Sequence, residues 1–201
     1  MSISKARAAR RRRVADPAAQ TARFRLPATA SRPALLDDGS DQRFRQLVYD
    51  LLTIASRMTA MREHLAGRMG ISAPQYSLLM AVGQFQGDRG VGVTAIAKVL
   101  HVSNAFVATE TGKLAQAGLL TKRANPKDRR AVLLSLTPAG RALIEHSSGE
   151  IRAVNDGFFG TLTRARFASL SATMAELVHS SARAMTLLRH GERGAWREAA
   201  E

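Results

Sequence analysis

Ser103, Asn104, Ala105, Ala108, Thr109 and Lys113 fall at a spacing that puts small and polar side chains on one side of a helix, and soon after them Lys122, Arg123, Lys127, Arg129 and Arg130 crowd around a single acid, Asp128. The chemistry such a set can do is recognition of a polyanionic duplex. A helix that must sit deep in a groove gains from a face with little bulk, and alanine or threonine methyl groups can meet thymine there. Gly112 belongs to the same face, although a mid-helix glycine costs about 1 kcal/mol relative to alanine. The same small face would also suit packing against another helix of the fold. In the groove reading, Ser103 and Asn104 offer donors to a phosphate at the positive helix end. Ala105, Ala108 and Thr109 approach base edges, and Lys113 reaches backbone. Arg129 or Arg130 enters the minor groove or holds phosphates, with Lys122, Arg123 and Lys127 in support. Asp128 fixes the orientation of an arginine by a charged hydrogen bond.

Covalent chemistry finds no comparable set. The histidines His64, His101, His146, His179 and His190 stand in separate segments, and none belongs to a metal-binding helix pattern. No nucleophile lies beside a base and no glycine-rich loop links a strand to a helix, so no catalytic residue, metal or cofactor is expected. His101 reads as a surface or phosphate-contacting residue. With no cysteine, a disulfide framework or thiolate site is impossible.

The elements that must position these residues can be read from apolar spacing. Val93 to Leu100 has one apolar helical face, His101-Val102 is long enough only for a turn, and Ser103 takes the place of an N-cap. The helix from Ser103 to Gly118 puts Phe106, Val107, Leu114 and Ala115 opposite the small face, and Gly118 suits its C′ position. Leu119 to Ala124 and Ala131 to Leu136 read as paired strands, the second apolar enough to be covered on both faces. Asn125-Pro126-Lys127-Asp128 between them suits a type I turn. An amphipathic helix runs from Asp41 to Arg68, Pro74 opens another that ends before Gly87, Thr137-Pro138 caps a third that Gly160 ends, and Thr163 starts the last.

Val102-Ser103, Gly118-Leu119, Asp128-Arg129-Arg130 and Leu134-Ser135-Leu136-Thr137-Pro138-Ala139-Gly140 together resemble the winged helix-turn-helix of the multiple-antibiotic-resistance regulator (MarR) family. The resemblance covers about residues 41–188. It implies a mainly α fold with a small β wing, a winged helix-turn-helix with flanking N- and C-terminal dimerisation helices. The division would be a disordered basic tail over 1–40, dimerisation helices over 41–72 and 138–190, a DNA-binding lobe over 73–137 and a frayed C-terminus over 191–201. The implied activity is that of an obligate homodimer, expected to repress transcription from a pseudo-palindromic operator and to be released by a small-molecule ligand. Family effectors often bind where the dimer helices meet the reading lobe, which here implies Arg57, Met58, Met61, Arg62, His64, Tyr76 and Phe85. Arginines and a histidine among methionines and aromatics would suit an aromatic acid or an acyl-CoA thioester; alternatively the methionines are core and the arginines solvated. Glu110 departs from the family pattern, since a carboxylate against DNA repels phosphate unless it accepts from a cytosine amino group.

Two further readings rest on the residues alone. The helices flanking the reading lobe carry more apolar face than a monomer of this size covers, which calls for a second copy on a two-fold axis. The net charge of +14 over 201 residues points to a polyanionic partner such as double-stranded DNA. Residues 1–36 hold nine Lys or Arg against one Asp, so the rest of the chain is only moderately basic. The tail is too poor in large apolar residues to offset its ordering entropy; its arginines either add non-specific attraction to DNA or do nothing measurable. No apolar run is long enough to span a membrane and no signal-like core opens the chain, so the expected location is cytoplasmic. Charge and a wing alone also fit an architectural, non-specific duplex binder.

Overall fold

Capped helices and a short sheet account for most of the chain in the computed structural model, which describes Phe24, residues 26–126 and residues 128–191, the side chains of Arg129, Arg130 and His190 aside. In order come α1 (Gln42–Arg68), α2 (Ala73–Phe85), β1 (Val91–Gly92), α3 (Val93–Leu100), α4 (Asn104–Gln116), β2 (Leu120–Asn125), β3 (Asp128–Leu136), α5 (Pro138–Phe159) and α6 (Arg164–Gly191). The chain divides into two compact units between Ser56 and Arg57, so that α1 begins in the first and ends in the second.

The first unit departs from the expectation of a structureless tail reaching Ser40. Residues 1–23 and Arg25 lie outside the described residues, but Pro33–Leu35 forms a 3-10 turn, and Asp37 and Ser40 pair as a bridge. Asp41, just ahead of α1, is nearly buried and accepts from the Thr29 amide at 2.5 Å and the Thr29 hydroxyl at 2.8 Å, with Arg45 one turn on as its counter-ion. Sequence periodicity carries no sign of this, because the contact joins a loop threonine to a residue outside any repeat.

The second unit is built on the core that apolar spacing marks. Leu78, Leu79 and Val82 of α2, Ile96 of α3, Val107 and Leu114 of α4, and Leu120 and Leu134 of the sheet are almost wholly buried in one cluster. Each is a large apolar side chain whose burial contributes roughly 1.5–3 kcal/mol. Local chemistry sets the ends of the helices. Ser72 and Gln75 form a reciprocal capping box on α2, Ser103 accepts from the Phe106 amide at 3.1 Å to cap α4, and Thr137 caps α5. His101 closes α3 in the left-handed region at φ 53°.

The sheet is antiparallel in the order β1-β3-β2. Its hairpin pairs Leu120 with Leu136 and Lys122 with Leu134, and it reaches Asp128, three residues beyond the strand expected from Ala131. β1, whose Val91 pairs with Leu134, is a third strand that two residues of sequence are too few to reveal.

A tight joint connects α4, the hairpin and α5. Gly118, at φ 73°, lets the chain turn so that the Leu119 amide donates to Leu114 at 2.9 Å. The Thr137 hydroxyl donates to the Gly118 carbonyl at 2.7 Å while accepting from the Gly140 amide at 3.0 Å. Any Cβ on Gly140 would collide with the Leu119 carbonyl, so glycine is required where the start of α5 meets the turn after α4. The described residues of α6 make a different surface: Phe167, Leu170, Leu177, Val178, Met185 and Leu188 are all exposed.

Candidate nucleic-acid interface

α4 presents the small face to solvent. Ser103, Asn104, Ala105, Ala108 and Thr109 are exposed, whereas Val107, Thr111 and Leu114 point into the core. Thr111 can be buried because its hydroxyl donates to the Val107 carbonyl at 2.6 Å, one turn back on its own helix. Gly112 faces the hairpin: a Cβ there would lie 3.9 Å from the Lys122 ammonium. That ammonium donates to the Ala108 carbonyl at 3.2 Å, tying strand β2 to α4. Phe106, expected on the apolar side, is partly exposed at the rim of a cleft.

The hairpin stands beside this helix. Lys122 and Arg123 are exposed on β2, and the Arg123 guanidinium donates to the carbonyl of Arg89, in the loop before β1. Arg89, Gly90, Arg123, Asn125 and Pro126 border a hollow of about 590 Å³ between the hairpin and the loop before β1. Asp128 pairs with Asn125 across the turn and is exposed. Lys127 and the side chains of Arg129 and Arg130 lie outside the described residues.

Lys113 and Glu110 are arranged in a way the sequence does not disclose. The Lys113 ammonium lies 2.7 Å from Glu110 Oε1, and the other carboxylate oxygen accepts from Gln75 Nε2 at 3.3 Å. Gln75 and Arg89 are the two residues at this surface that sequence reasoning passed over. The Ser72-x-x-Gln75 spacing of a capping box could have drawn attention to Gln75; nothing in the spacing points to Arg89.

The residues expected around an effector are not gathered in one place. Arg62 borders a cleft of about 310 Å³ with Thr59, Glu63, Pro74, Ser77 and Phe106. Tyr76 is buried in the core; burial pushes its phenol up, against the opposing pull of the Arg62 charge. His64 turns to α5, where its Nε2 lies 3.3 Å from Glu150, alongside Arg68 at 3.4 Å. Burial pushes the Glu150 carboxyl up, but the bonds from His64 and Arg68 outweigh it and hold the group below its ordinary value. Arg57 and Met58 are exposed and Met61 half-buried on α1, and Phe85 is exposed at the far end of α2 from Tyr76. Among the described residues no cluster of His, Asp or Glu could hold a metal ion, and no helix is long and apolar enough to cross a membrane.

A helix-turn-helix followed by a basic hairpin invites comparison with known proteins. Residues 71–132 match the MarR family. The matched segment runs from the turn before α2 to the middle of β3, the part of the chain that carries the small-faced helix and the wing. The chain is also similar to two curated proteins of Bacillus subtilis (strain 168), each 27% identical over 100 residues, or 50% of this chain. They are the HTH-type transcriptional repressor YetL, of which the match spans 59%, and the organic hydroperoxide resistance transcriptional regulator, of which it spans 66%. The chain thus spans less than two thirds of the curated relatives it matches. Among solved structures, Bordetella bronchiseptica BpsR, described in a study of how 6-hydroxynicotinic acid regulates its DNA binding, superposes with a TM-score of 0.55 at 26% identity, covering 66% of this chain and 98% of that one.

Proposed function

We propose that this chain is a MarR-type transcriptional regulator that binds double-stranded DNA as a homodimer and represses from a pseudo-palindromic site. The observation that carries the reading is the exposed face of Ser103, Asn104, Ala105, Ala108 and Thr109, capped at its N-terminus and flanked by the cationic strand of a hairpin. A helix so stripped of bulk can enter a major groove, with the Ser103 end toward phosphate and the alanine and threonine methyls toward base edges. Lys122, Arg123 and Arg89 supply charge for the flanking phosphates, and Lys127, Arg129 and Arg130 add to it by their place in the sequence. The exposed apolar residues of α6, such as Phe167 and Leu177, supply a surface through which two copies associate.

The same reading assigns the cleft bordered by Arg62, Ser77 and Phe106 to a small aromatic acid, with Arg62 as the partner of its carboxylate. Such a ligand shifts DNA binding only by preferring one spacing of the two reading heads over the other. YetL's description as a repressor and BpsR's regulation by 6-hydroxynicotinic acid support the reading by similarity.

The test is Ala108→Glu, which puts a carboxylate on the presented face without disturbing the core. Binding to a duplex enriched by the wild-type protein should weaken by about tenfold to a hundredfold, the loss of one good base contact. Unchanged affinity would remove α4 from the interface. An architectural binder is separated from a regulator by the ratio of enriched to random duplex affinity, which should reach roughly a thousandfold for a regulator.

A further inference from the structure

Glu110 lies on the reading helix, where a carboxylate facing DNA would repel phosphate, yet its side chain is only 12% exposed. Both of its oxygens are engaged. Gln75 determines one of these bonds through its place in the α2 capping box: its Oε1 accepts from the Ser72 amide at 3.0 Å, so its Nε2 must be the end turned to α4. An amide nitrogen can only donate, and Glu110 Oε2 answers it at 3.3 Å. The second oxygen takes the Lys113 ammonium at 2.7 Å, within the range of a charge-assisted hydrogen bond.

The helical geometry gives this arrangement a consequence. At 3.6 residues per turn, Glu110 is about 200° around the axis from Ala108, whereas Lys113 is about 40° from Thr109 and so leaves the helix at the edge of the presented face. Lys113 is therefore the cation of α4 nearest the groove, and Glu110 draws it away. A free lysine at that edge would add a phosphate contact to every duplex whatever its sequence, raising non-specific and specific affinity alike.

We infer that Glu110 is a positioning residue, which locks the reading helix to the cap of α2 and withholds the charge of Lys113 from DNA. The inference rests on the DNA-binding reading above. It turns the apparent misfit of a carboxylate on the reading helix into a device that lowers indiscriminate attraction to phosphate.

Salt titrations on full-length protein, with a random-sequence duplex and with a duplex enriched by the wild type, test it. Glu110→Gln keeps an amide oxygen for Gln75 but releases Lys113. Its random-duplex binding should tighten several-fold, and log K against log salt should steepen by about 0.9, one extra phosphate contact. Its binding to the enriched duplex should tighten by the same several-fold, since a phosphate contact carries no sequence information. Lys113→Gln alone should leave the slope at the wild-type value, because the held ammonium makes no contact, and the double variant E110Q/K113Q should restore that value. A wild-type slope in E110Q, or a shallower slope in K113Q alone, would overturn the inference. Wild-type protein that binds neither duplex would instead bring down the DNA-binding reading itself.

Discussion

Asp41 shows how much a single side chain can fix locally. The Thr29 amide and then the Thr29 hydroxyl donate to its carboxylate, Arg45 adds its charge, and together they overcome burial and lower its pKa from 3.8 to about 2. A carboxylate with a depressed folded-state pKa contributes stability that is fully present above its unfolded value, near 4, and is lost as pH falls through the folded value. Protection of the Thr29 amide from exchange, relative to an unstructured amide at the same pH, should therefore persist down to about pH 4 and fall between about pH 4 and 2. Asp41→Asn should remove the protection at neutral pH and with it the acid dependence; full protection at pH 2 in the wild type would contradict this assignment. Single residues were legible where their chemistry is local. Ser103 caps α4 and Gly118 turns left-handed as their types and positions announce. Glu110 was illegible, since periodicity tells which way a residue points along its own helix and not that a glutamine from α2 waits there.

At the scale of elements, the joint of Gly118, Leu119, Thr137 and Gly140 holds the reading helix, the wing and α5 in register. Thr137→Ala removes both the α5 cap and the bond to the Gly118 carbonyl, and should cost about 1–2 kcal/mol in urea unfolding. Gly140→Ala drives a methyl into backbone that has no room to yield, and should cost about 1–3 kcal/mol. Were both variants as stable as the wild type, the joint would not hold the wing in place. The long helices and the hairpin could be read from the chain because each repeats its pattern over several turns or alternations. β1 could not, being two residues whose strand character comes entirely from pairing with Leu133 and Leu134. The hairpin extends further toward its tip than apolar alternation reaches because, past a register shift between Ala124 and Asn125, Asn125 pairs with Asp128.

For the whole molecule, the exposed apolar stripe of α6 is the feature a lone chain explains least. Leu177→Glu combined with Leu188→Glu should convert a dimer to a monomer in sedimentation velocity and weaken duplex binding in step, since each half-site alone retains only its own contacts. A wild-type protein that sediments as a monomer at micromolar concentration would remove the two-fold part of the account. The exposed stripe itself was foreseeable in outline from Phe167, Leu170 and Leu177 recurring at helical spacing. Residues meant for an effector were a harder case, because proximity in a cleft depends on how separate helices pack: Arg62 reached the cleft with Phe106, while His64 was drawn to Glu150. The most direct measurement is to sequence the duplexes that the full-length protein retains from a random pool. The account predicts one enriched site with two-fold symmetry and half-sites about 10 bp apart; retention without any preferred sequence, or of a site lacking that symmetry, would contradict it.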